Sequence, residues 1–195
     1  GQPLPLEPYE ISRSLAVAAD GRRFALGSDW TVRGFDAAGT LEWATSVPLA
    51  WLVNLSADGR FVVAALGDGT IRWYRTQDGS EALALFVHAD GERWVAWTPE
   101  GFFAASSPAA EKLFGYTLNQ GRDKEAEFVS SAQLRKAFYR PDLLIAREQQ
   151  LCALLPASRC AVRQQQTHGR HALAQGLDLV KVLRVDKQAD IAYSN

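Results

Sequence analysis

The fold of this chain is decided by residues 55–79, LSADGRFVVAALGDGTIRWYRTQDG. The stretch contains three Asp-Gly pairs, which begin at Asp58, Asp68 and Asp78, and glycine there supplies the positive φ that a tight hairpin turn requires. Between the first two pairs lies the apolar run Phe61–Leu66. After the second pair the chain alternates, with apolar side chains at Ile71 and Trp73. The pattern predicts short antiparallel strands joined by tight turns.

The same pattern occurs three times along the chain. The aligned stretches are residues 15–39, 55–79 and 94–121, and their closing glycines Gly39, Gly79 and Gly121 are 40 and 42 residues apart. Four short antiparallel strands in about 40 residues are typical of one blade of a β-propeller. We therefore predict a mainly-β fold with about three four-stranded propeller blades, at about residues 11–50, 51–88 and 89–134.

The composition changes after the third repeat. Thirteen of the 15 glycines and all six tryptophans lie at or before residue 121, and the rest is rich in Gln, Ala, Leu and Arg. We predict that residues 1–134 form the blades and that residues 135–195 form a mainly helical C-terminal extension. Its expected helices cover residues 133–139, a stretch from Pro141 to Pro156, and residues 157–175. Residues 178–185 are apolar enough for either a strand or a buried helix, and both alternatives stay open.

The charge distribution excludes some classes of function. The formal net charge is -1, with -6 in the first 121 residues and +5 in the remainder. A chain built as a whole around a polyanion needs an excess of positive charge, and the basic residues of the tail are spread out. No apolar run approaches the roughly 18 residues of a membrane helix, and no signal peptide is visible. We expect a cytoplasmic protein with no nucleic-acid partner and no membrane partner.

Four residues of the tail have side chains that could bind a metal or form a Cys–His pair: Cys152, Cys160, His168 and His171. Structural zinc sites usually have CxxC-type spacing, and these cysteines are eight residues apart. In a caspase-like pair the histidine precedes the cysteine by tens of residues, whereas here both histidines follow. We predict that the chain is not an enzyme and has no catalytic residue, no metal ligand and no cofactor.

Several polar residues of the repeats have a structural explanation. Asp20, Asp58 and Asp68 each precede a glycine, so the chemistry of hairpin turns accounts for them without catalysis. His88 stands before the first strand of the third repeat, where we expect it to form hydrogen bonds within its blade.

The six tryptophans allow two interpretations. Packing between blades is favoured for any single one of them. Trp is nevertheless enriched at the hot spots of protein interfaces, and a blade can present it on a binding face. Trp30, Trp51 and Trp94 are the candidates for a partner-binding surface.

The repeats resemble those of the WD-repeat β-propellers. The resemblance rests on the turn at Asp58, on DGTIR at residues 68–72 and on His88. The position of the Trp-Asp pair reads Phe35-Asp36, Tyr74-Arg75 and Tyr116-Thr117, so the pair itself does not occur. Through LFVHADG, WTPEGFF and FYRPD, residues 85–142 are more specifically similar to the C-terminal end of a bacterial WD-repeat array. Such arrays occur in large multidomain proteins, some of which carry a caspase-like protease domain.

The resemblance implies the end of a propeller and says little about an attached activity. A propeller exposes many loops at the ends of rigid strands, which suits partner binding and needs no catalytic residue. We therefore expect a non-catalytic scaffold or sensor module that binds a protein partner, as a segment of a larger WD-repeat protein. Two alternatives stay open. The chain could be the regulatory part of a caspase-like or other hydrolase whose catalytic domain lies outside it, or a propeller that binds a small ligand.

The number of repeats raises the question of how a ring would close. Propellers typically close with four to eight blades, and three blades leave apolar faces and strand edges open. We therefore expect either further upstream blades or self-assembly of several chains into one ring. The start at Gly1 in a chain without methionine favours upstream blades and an excised or processed chain.

Overall fold

A computed structural model describes residues 3–121 and 124–152 of the chain. The helix expected at residues 157–175 and the apolar stretch 178–185 lie outside the described residues. Within them the protein is mainly β, with three antiparallel sheets and few helices, which confirms the predicted fold class. No helix in this described part is long and apolar enough to span a bilayer.

The first repeat forms a four-stranded antiparallel sheet in which each strand pairs with the next along the chain. Its strands are β1 (Ser12–Val17), β2 (Arg23–Ser28), β3 (Thr31–Asp36) and β4 (Leu41–Ser46). Gly39 has a φ of 86° in the turn after β3, a conformation in which a side chain would be strained. This meander is the strand arrangement predicted for one blade.

The second repeat has the same arrangement. Its strands are β5 (Ala50–Leu55), β6 (Phe61–Leu66), β7 (Thr70–Arg75) and β8 (Glu81–Val87). The bounds of β6 are those of the apolar run in the sequence. β5 lies beside β1, and the Val53 N–H of β5 donates to Ser14 Oγ of β1 at 3.1 Å. The two sheets are therefore neighbours, with their first strands side by side.

The third repeat differs from the prediction in how its strands are distributed. β9 (Trp94–Trp97) and β10 (Phe103–Ala105) extend the second sheet beyond β8, which gives it six strands in the order β10-β9-β8-β7-β6-β5. A short helix, α1 (Pro108–Glu111), follows β10. The last two strands, β11 (Gly115–Leu118) and β12 (Glu127–Ser130), form a separate two-stranded ribbon. The third repeat is thus shared between two sheets.

The connection after β8 explains why β9 joins the second sheet. The His88 N–H donates to the Arg93 carbonyl at 2.8 Å, and the Asp90 carboxylate accepts from the Glu92 and Arg93 N–H groups at 2.9 and 3.0 Å. These bonds turn the chain back on itself as a hairpin, so β9 pairs with the strand it has just left.

The connection after β4 has the opposite effect. The Val47 N–H donates to the Trp30 carbonyl of the first sheet at 2.9 Å, and the Leu49 carbonyl accepts from the Gly67 N–H of the second sheet at 2.7 Å. Pro48 lies between them and has no N–H to donate. The chain therefore crosses to the next sheet within three residues.

Two helices follow the ribbon, as predicted from the composition of the tail. They are α2 (Ser131–Phe138) and α3 (Pro141–Cys152). α2 begins near the predicted position because the Ser130 N–H donates to Gln133 Oε1 at 3.0 Å, half of a capping box. Between the helices the Arg140 N–H donates to the Phe103 carbonyl at 3.0 Å, which ties the helices to the edge of β10.

Trp43 on β4 joins the first two sheets. Its indole N–H donates to the Thr76 carbonyl at 2.7 Å, and the ring packs in a buried cluster with Val53 of the second sheet. Two glycines leave room for the ring. A β-carbon at Gly34 would lie 2.3 Å from the indole, and one at Gly79 would lie 2.5 Å from it. The indole therefore fills a slot with one wall in each sheet.

We predict that Gly79→Ala destabilises the protein more than Gly59→Ala. Both glycines have a φ of 69°, so both variants share the cost of a left-handed conformation, about 1–2 kcal/mol. A β-carbon at Gly59 meets nothing within 4 Å, whereas at Gly79 it overlaps the Trp43 ring. We expect an additional loss of about 1–3 kcal/mol for Gly79→Ala. Urea unfolding of the two variants measures the difference, and equal losses would contradict the role given to Trp43.

Candidate interaction surface

A buried ion pair anchors the N-terminal segment, residues 3–11, to the first sheet. The side chains of Glu10 and Arg33 are 0% and 6% exposed, and Arg33 Nη2 donates to Glu10 Oε2 at 2.6 Å. The other carboxylate oxygen, Oε1, accepts from Thr31 Oγ1 at 2.7 Å and from the Ser28 hydroxyl. One carboxylate thus binds three side chains at the end of β2 and the start of β3.

The surroundings of Glu10 keep it ionised. Burial alone would raise the pKa of its carboxyl group, because charge is costly away from water. Donation from Ser28, Thr31, the Glu7 N–H and Arg33 outweighs burial and lowers the pKa of Glu10 to about 2. The Arg33 guanidinium has fewer hydrogen-bond partners than the Glu10 carboxylate, since its buried Nη1 has none among the described residues.

The second sheet has a related network at the equivalent position. Asp68 Oδ1 accepts from the Thr70 N–H at 2.9 Å and from Thr70 Oγ1 at 2.6 Å, and Asp68 Oδ2 accepts from Arg72 Nη2 at 2.8 Å. Burial would raise the pKa of Asp68, but the bonds from Thr70 and the Arg72 charge lower it. Each sheet therefore pairs a carboxylate with a Thr-x-Arg sequence at the start of its third strand.

The two networks take their carboxylates from different places. In the second sheet, Asp68 stands two residues before the threonine. In the first sheet the equivalent residue, Asp29, instead accepts from the Ile11 N–H at 3.2 Å and from Arg13 Nε at 2.7 Å. Glu10 supplies the missing carboxylate from outside the repeat, so the N-terminal segment completes the first sheet.

The N-terminal segment turns sharply just before Glu10. The Glu10 N–H donates to the Glu7 carbonyl at 3.0 Å, with Pro8 and Tyr9 at the two central positions of the turn. Tyr9 has a φ of 68° and is the one residue other than glycine with positive φ among residues 3–121 and 124–152. A turn of this kind favours glycine at that position, so the Tyr9 backbone is strained. The Tyr9 side chain is 96% exposed.

Four large apolar side chains lie exposed at this end of the first two sheets. We call them the aromatic rim: Tyr9, Ile11, Trp30 and Trp51, which are 96%, 55%, 42% and 57% exposed. They come from the N-terminal segment, the turn between β2 and β3, and the start of β5. All three stretches lie at the same end because β1 and β5 run side by side.

Arg13 and Asp29 connect the members of the aromatic rim. The Arg13 guanidinium lies over the Trp51 ring, 5.8 Å from its centroid, and pairs with the Asp29 carboxylate at 2.7 Å. Asp29 in turn binds the Ile11 N–H and directly precedes Trp30. The Arg13–Asp29 pair therefore links Ile11, Trp30 and Trp51, and the arginine beside the rim is already paired with a carboxylate.

The structure separates the three tryptophans that the sequence suggested for partner binding. Trp30 and Trp51 belong to the aromatic rim. Trp94 is 7% exposed and packs in a buried cluster with Leu83, Leu85 and Leu144, so it does not lie on the surface. The prediction that Trp94 is a partner-binding residue was wrong, because its ring packs inside the buried cluster of the second sheet that includes Leu144 of α3.

The turn aspartates occupy the positions expected of them. Asp20 Oδ1 accepts from the Arg22 N–H at 2.9 Å, and Asp58 Oδ1 accepts from Ser56 Oγ at 2.8 Å. Asp68 belongs to the network of the second sheet. His88 lies in the hairpin turn before β9, where its Nδ1 is 3.1 Å from Asp90 Oδ2. All four side chains have partners within their own turns or sheets.

Within residues 3–121 and 124–152, no group of three or more His, Cys, Asp and Glu side chains is arranged to hold a metal ion. Cys152 is the last residue of α3. Cys160, His168 and His171 lie outside the described residues, so the predicted absence of a metal site in the tail stays a prediction.

Sequence reasoning missed Glu10, Tyr9 and Ile11. The N-terminal segment precedes the first repeat, and nothing in its own pattern places it against β3. The repeat alignment held one usable signal. Thr-x-Arg occurs in the first two repeats, and an arginine on the third strand of each sheet requires a carboxylate partner.

No protein-family profile and no curated protein matches the sequence. Among solved structures, the chain is similar to BamB from Moraxella catarrhalis, with a TM-score of 0.36 and 14% sequence identity. The match covers 49% of this chain and 34% of the BamB chain, so it spans about a third of that protein. A likeness at this level carries no argument about function.

We predict that Glu10 makes the stability of the protein depend on pH in acid. Its folded-state pKa of about 2 lies below the ordinary value of 4.5, so its stabilising effect is complete above about pH 4.5. The effect is lost as the pH falls from 4.5 towards 2. Glu10→Gln leaves the Arg33 charge buried without its counter-charge, which costs on the order of 3 kcal/mol at neutral pH.

Thermal unfolding of the wild type and Glu10→Gln between pH 7 and pH 2 tests this prediction. The difference in Tm between the two proteins is expected to be constant down to about pH 4.5 and then to shrink. Glu42→Gln is the control, since Glu42 forms an ion pair with Arg23 at a partly exposed site. A Tm difference for Glu10→Gln that does not change with pH would contradict the prediction.

Proposed function

We propose that the chain is a segment of a WD-repeat-type β-propeller that acts as a non-catalytic protein-interaction module in the cytoplasm. Two features support the propeller part of the proposal. The first two repeats are four-stranded antiparallel meanders of equal layout, and each has a carboxylate paired with a Thr-x-Arg sequence at the start of its third strand.

The aromatic rim is the observation that carries the proposed function. Exposed Trp and Tyr side chains are costly in water and are enriched at the hot spots of protein interfaces. Those of the rim stand at strand ends and turns of a packed scaffold, which is where binding residues concentrate. Tyr9 is held in a strained conformation with its side chain in solvent, and such strain tends to occur at functional positions.

The chemistry of the aromatic rim favours one kind of partner. Its arginine, Arg13, is paired with Asp29, so the rim offers little free charge to a polyanion. It offers instead flat aromatic surfaces and the exposed side chain of Ile11. A protein surface with apolar side chains at its centre and polar groups around them fits this arrangement.

We predict that Trp30→Ala/Trp51→Ala abolishes partner binding without unfolding the protein. Truncating two hot-spot tryptophans typically costs at least 2 kcal/mol each, roughly a 30-fold loss of affinity per residue. Both side chains are about half exposed, so folding is expected to change little. The measurement is quantitative affinity capture from lysate of the source cells, with circular dichroism as the check on folding.

The matched control is Leu118→Ala, which removes a 44% exposed apolar side chain from β11. The wild type and Leu118→Ala are expected to capture the same proteins in equal amounts, and the double variant is expected to lose them. If the double variant retains the proteins captured by the wild type, the aromatic rim is not the binding surface. If the wild type captures none, the interaction module itself is contradicted.

A further inference from the structure

The N-terminal segment crosses the outer face of the first sheet. At one end of the face Leu4 lies beside the turn after β3, where a β-carbon on Gly39 would come within 3.9 Å of Leu4 Cδ2. At the other end Glu10 binds Arg33 and the turn between β2 and β3. The segment therefore runs along the strands, over the middle of the sheet.

On this face the side chains of the central strands are buried and those of the outer strands are exposed, as expected if one extended segment covers the middle. Leu26 and Phe35 on the two central strands are 4% and 0% exposed. Leu15, Val17 and Leu41, on the marginal strands of the same face, are 54%, 61% and 42% exposed. The central strip of the face is covered and both margins are open.

Three observations show that the segment is an imperfect occupant of this face. The Pro8-Tyr9 turn forces a bulky residue into a left-handed conformation. The Glu10 carboxylate engages one terminal nitrogen of Arg33 and leaves the buried Nη1 without a partner among the described residues. The apolar margins remain uncovered. A carboxylate that approached without this turn could bind both terminal nitrogens of the guanidinium.

We propose that the outer face of the first sheet is a binding site for an extended, leucine-containing peptide segment with a glutamate, and that residues 3–11 occupy this site in cis until a partner segment displaces them. The sequence of residues 3–11, which occupy the site, indicates which side chains a ligand needs. Ser28, Thr31 and Arg33 bind its carboxylate, and the strip over Leu26 and Phe35 receives its apolar side chains. This inference goes beyond the proposed function, because the site is the outer face of the first sheet, although the segment that occupies it contributes Tyr9 and Ile11 to the aromatic rim.

The test measures binding of a fluorescent peptide to the full chain by anisotropy. The peptide is PLPLEPYEI, the sequence of residues 3–11. In the wild type it must compete with the segment already in place. Glu10→Gln removes the charged anchor of the cis segment but leaves Arg33 available, so this variant is expected to bind the peptide on the order of tenfold more tightly.

Tyr9→Gly changes binding in the opposite direction. Glycine relieves the strained turn and holds the cis segment more firmly, so the variant is expected to bind the peptide about fivefold more weakly than the wild type. A peptide with glutamine in place of its final glutamate, PLPLEPYQI, is expected to bind the Glu10→Gln chain at least tenfold more weakly than the original peptide. Trp30→Ala/Trp51→Ala is expected to leave peptide binding unchanged, which separates this test from that of the aromatic rim.

A further variant guards against loss of folding in Glu10→Gln. Leu6 is half-buried in the cis segment, and Leu6→Ala weakens its apolar contact while leaving the ion pair intact. It is expected to bind the peptide a few-fold more tightly than the wild type. Equal peptide affinities for the wild type, Leu6→Ala and Tyr9→Gly would overturn the proposal. So would equal binding of the two peptides to the Glu10→Gln chain.

Discussion

The first sheet has two faces with buried side chains, and both faces must be covered. The inner face packs against the second sheet, where Trp43 fills the slot between Gly34 and Gly79. The outer face has no second sheet among the described residues, yet Leu26, Arg33 and Phe35 on it are buried. The N-terminal segment lies on this side of the sheet, since its Glu10 neutralises Arg33 and its Leu4 lies beside the turn after β3.

Comparison of the two repeats shows what kind of constraint Glu10 satisfies. A buried arginine on the third strand is stable only when a carboxylate lies within reach. In the second sheet the half-buried Arg72 pairs with Asp68 of its own turn and with Glu81 of β8, whereas in the first sheet Asp29 is committed to Ile11 and Arg13. Asp29 binds Ile11 and Arg13 beside the aromatic rim and is therefore not available to Arg33. Arg33 pairs with Glu10 instead. The position of Glu81 in the second sheet is taken by Leu41 in the first, so Arg33 has no carboxylate partner within its own sheet and depends on Glu10.

Local patterns in the sequence were sufficient for the strands and turns but not for their partners. The bounds of β6 are those of the apolar run Phe61–Leu66, because turn residues stand on both sides of that run. The joining of β9 to β8 was missed although Asp90-Gly91 is an Asp-Gly pair of the kind that forms hairpin turns, because the repeat alignment placed this turn between two blades. The burial of Trp94 follows from that pairing, so it was missed for the same reason. Glu10 lies outside the repeats, where periodicity gives no information.

The N-terminal segment connects two surfaces that would otherwise be independent. Glu10 belongs to the site on the outer face, and the residues on either side of it, Tyr9 and Ile11, belong to the aromatic rim. A ligand that displaces Glu10 from Arg33 must move at least one of these neighbours, because adjacent Cα atoms stay about 3.8 Å apart. Displacement would also relieve the strained Tyr9 turn. Displacement of the segment therefore moves Tyr9 or Ile11 within the rim, whereas Trp30 and Trp51 belong to the turn between β2 and β3 and to β5, outside the segment.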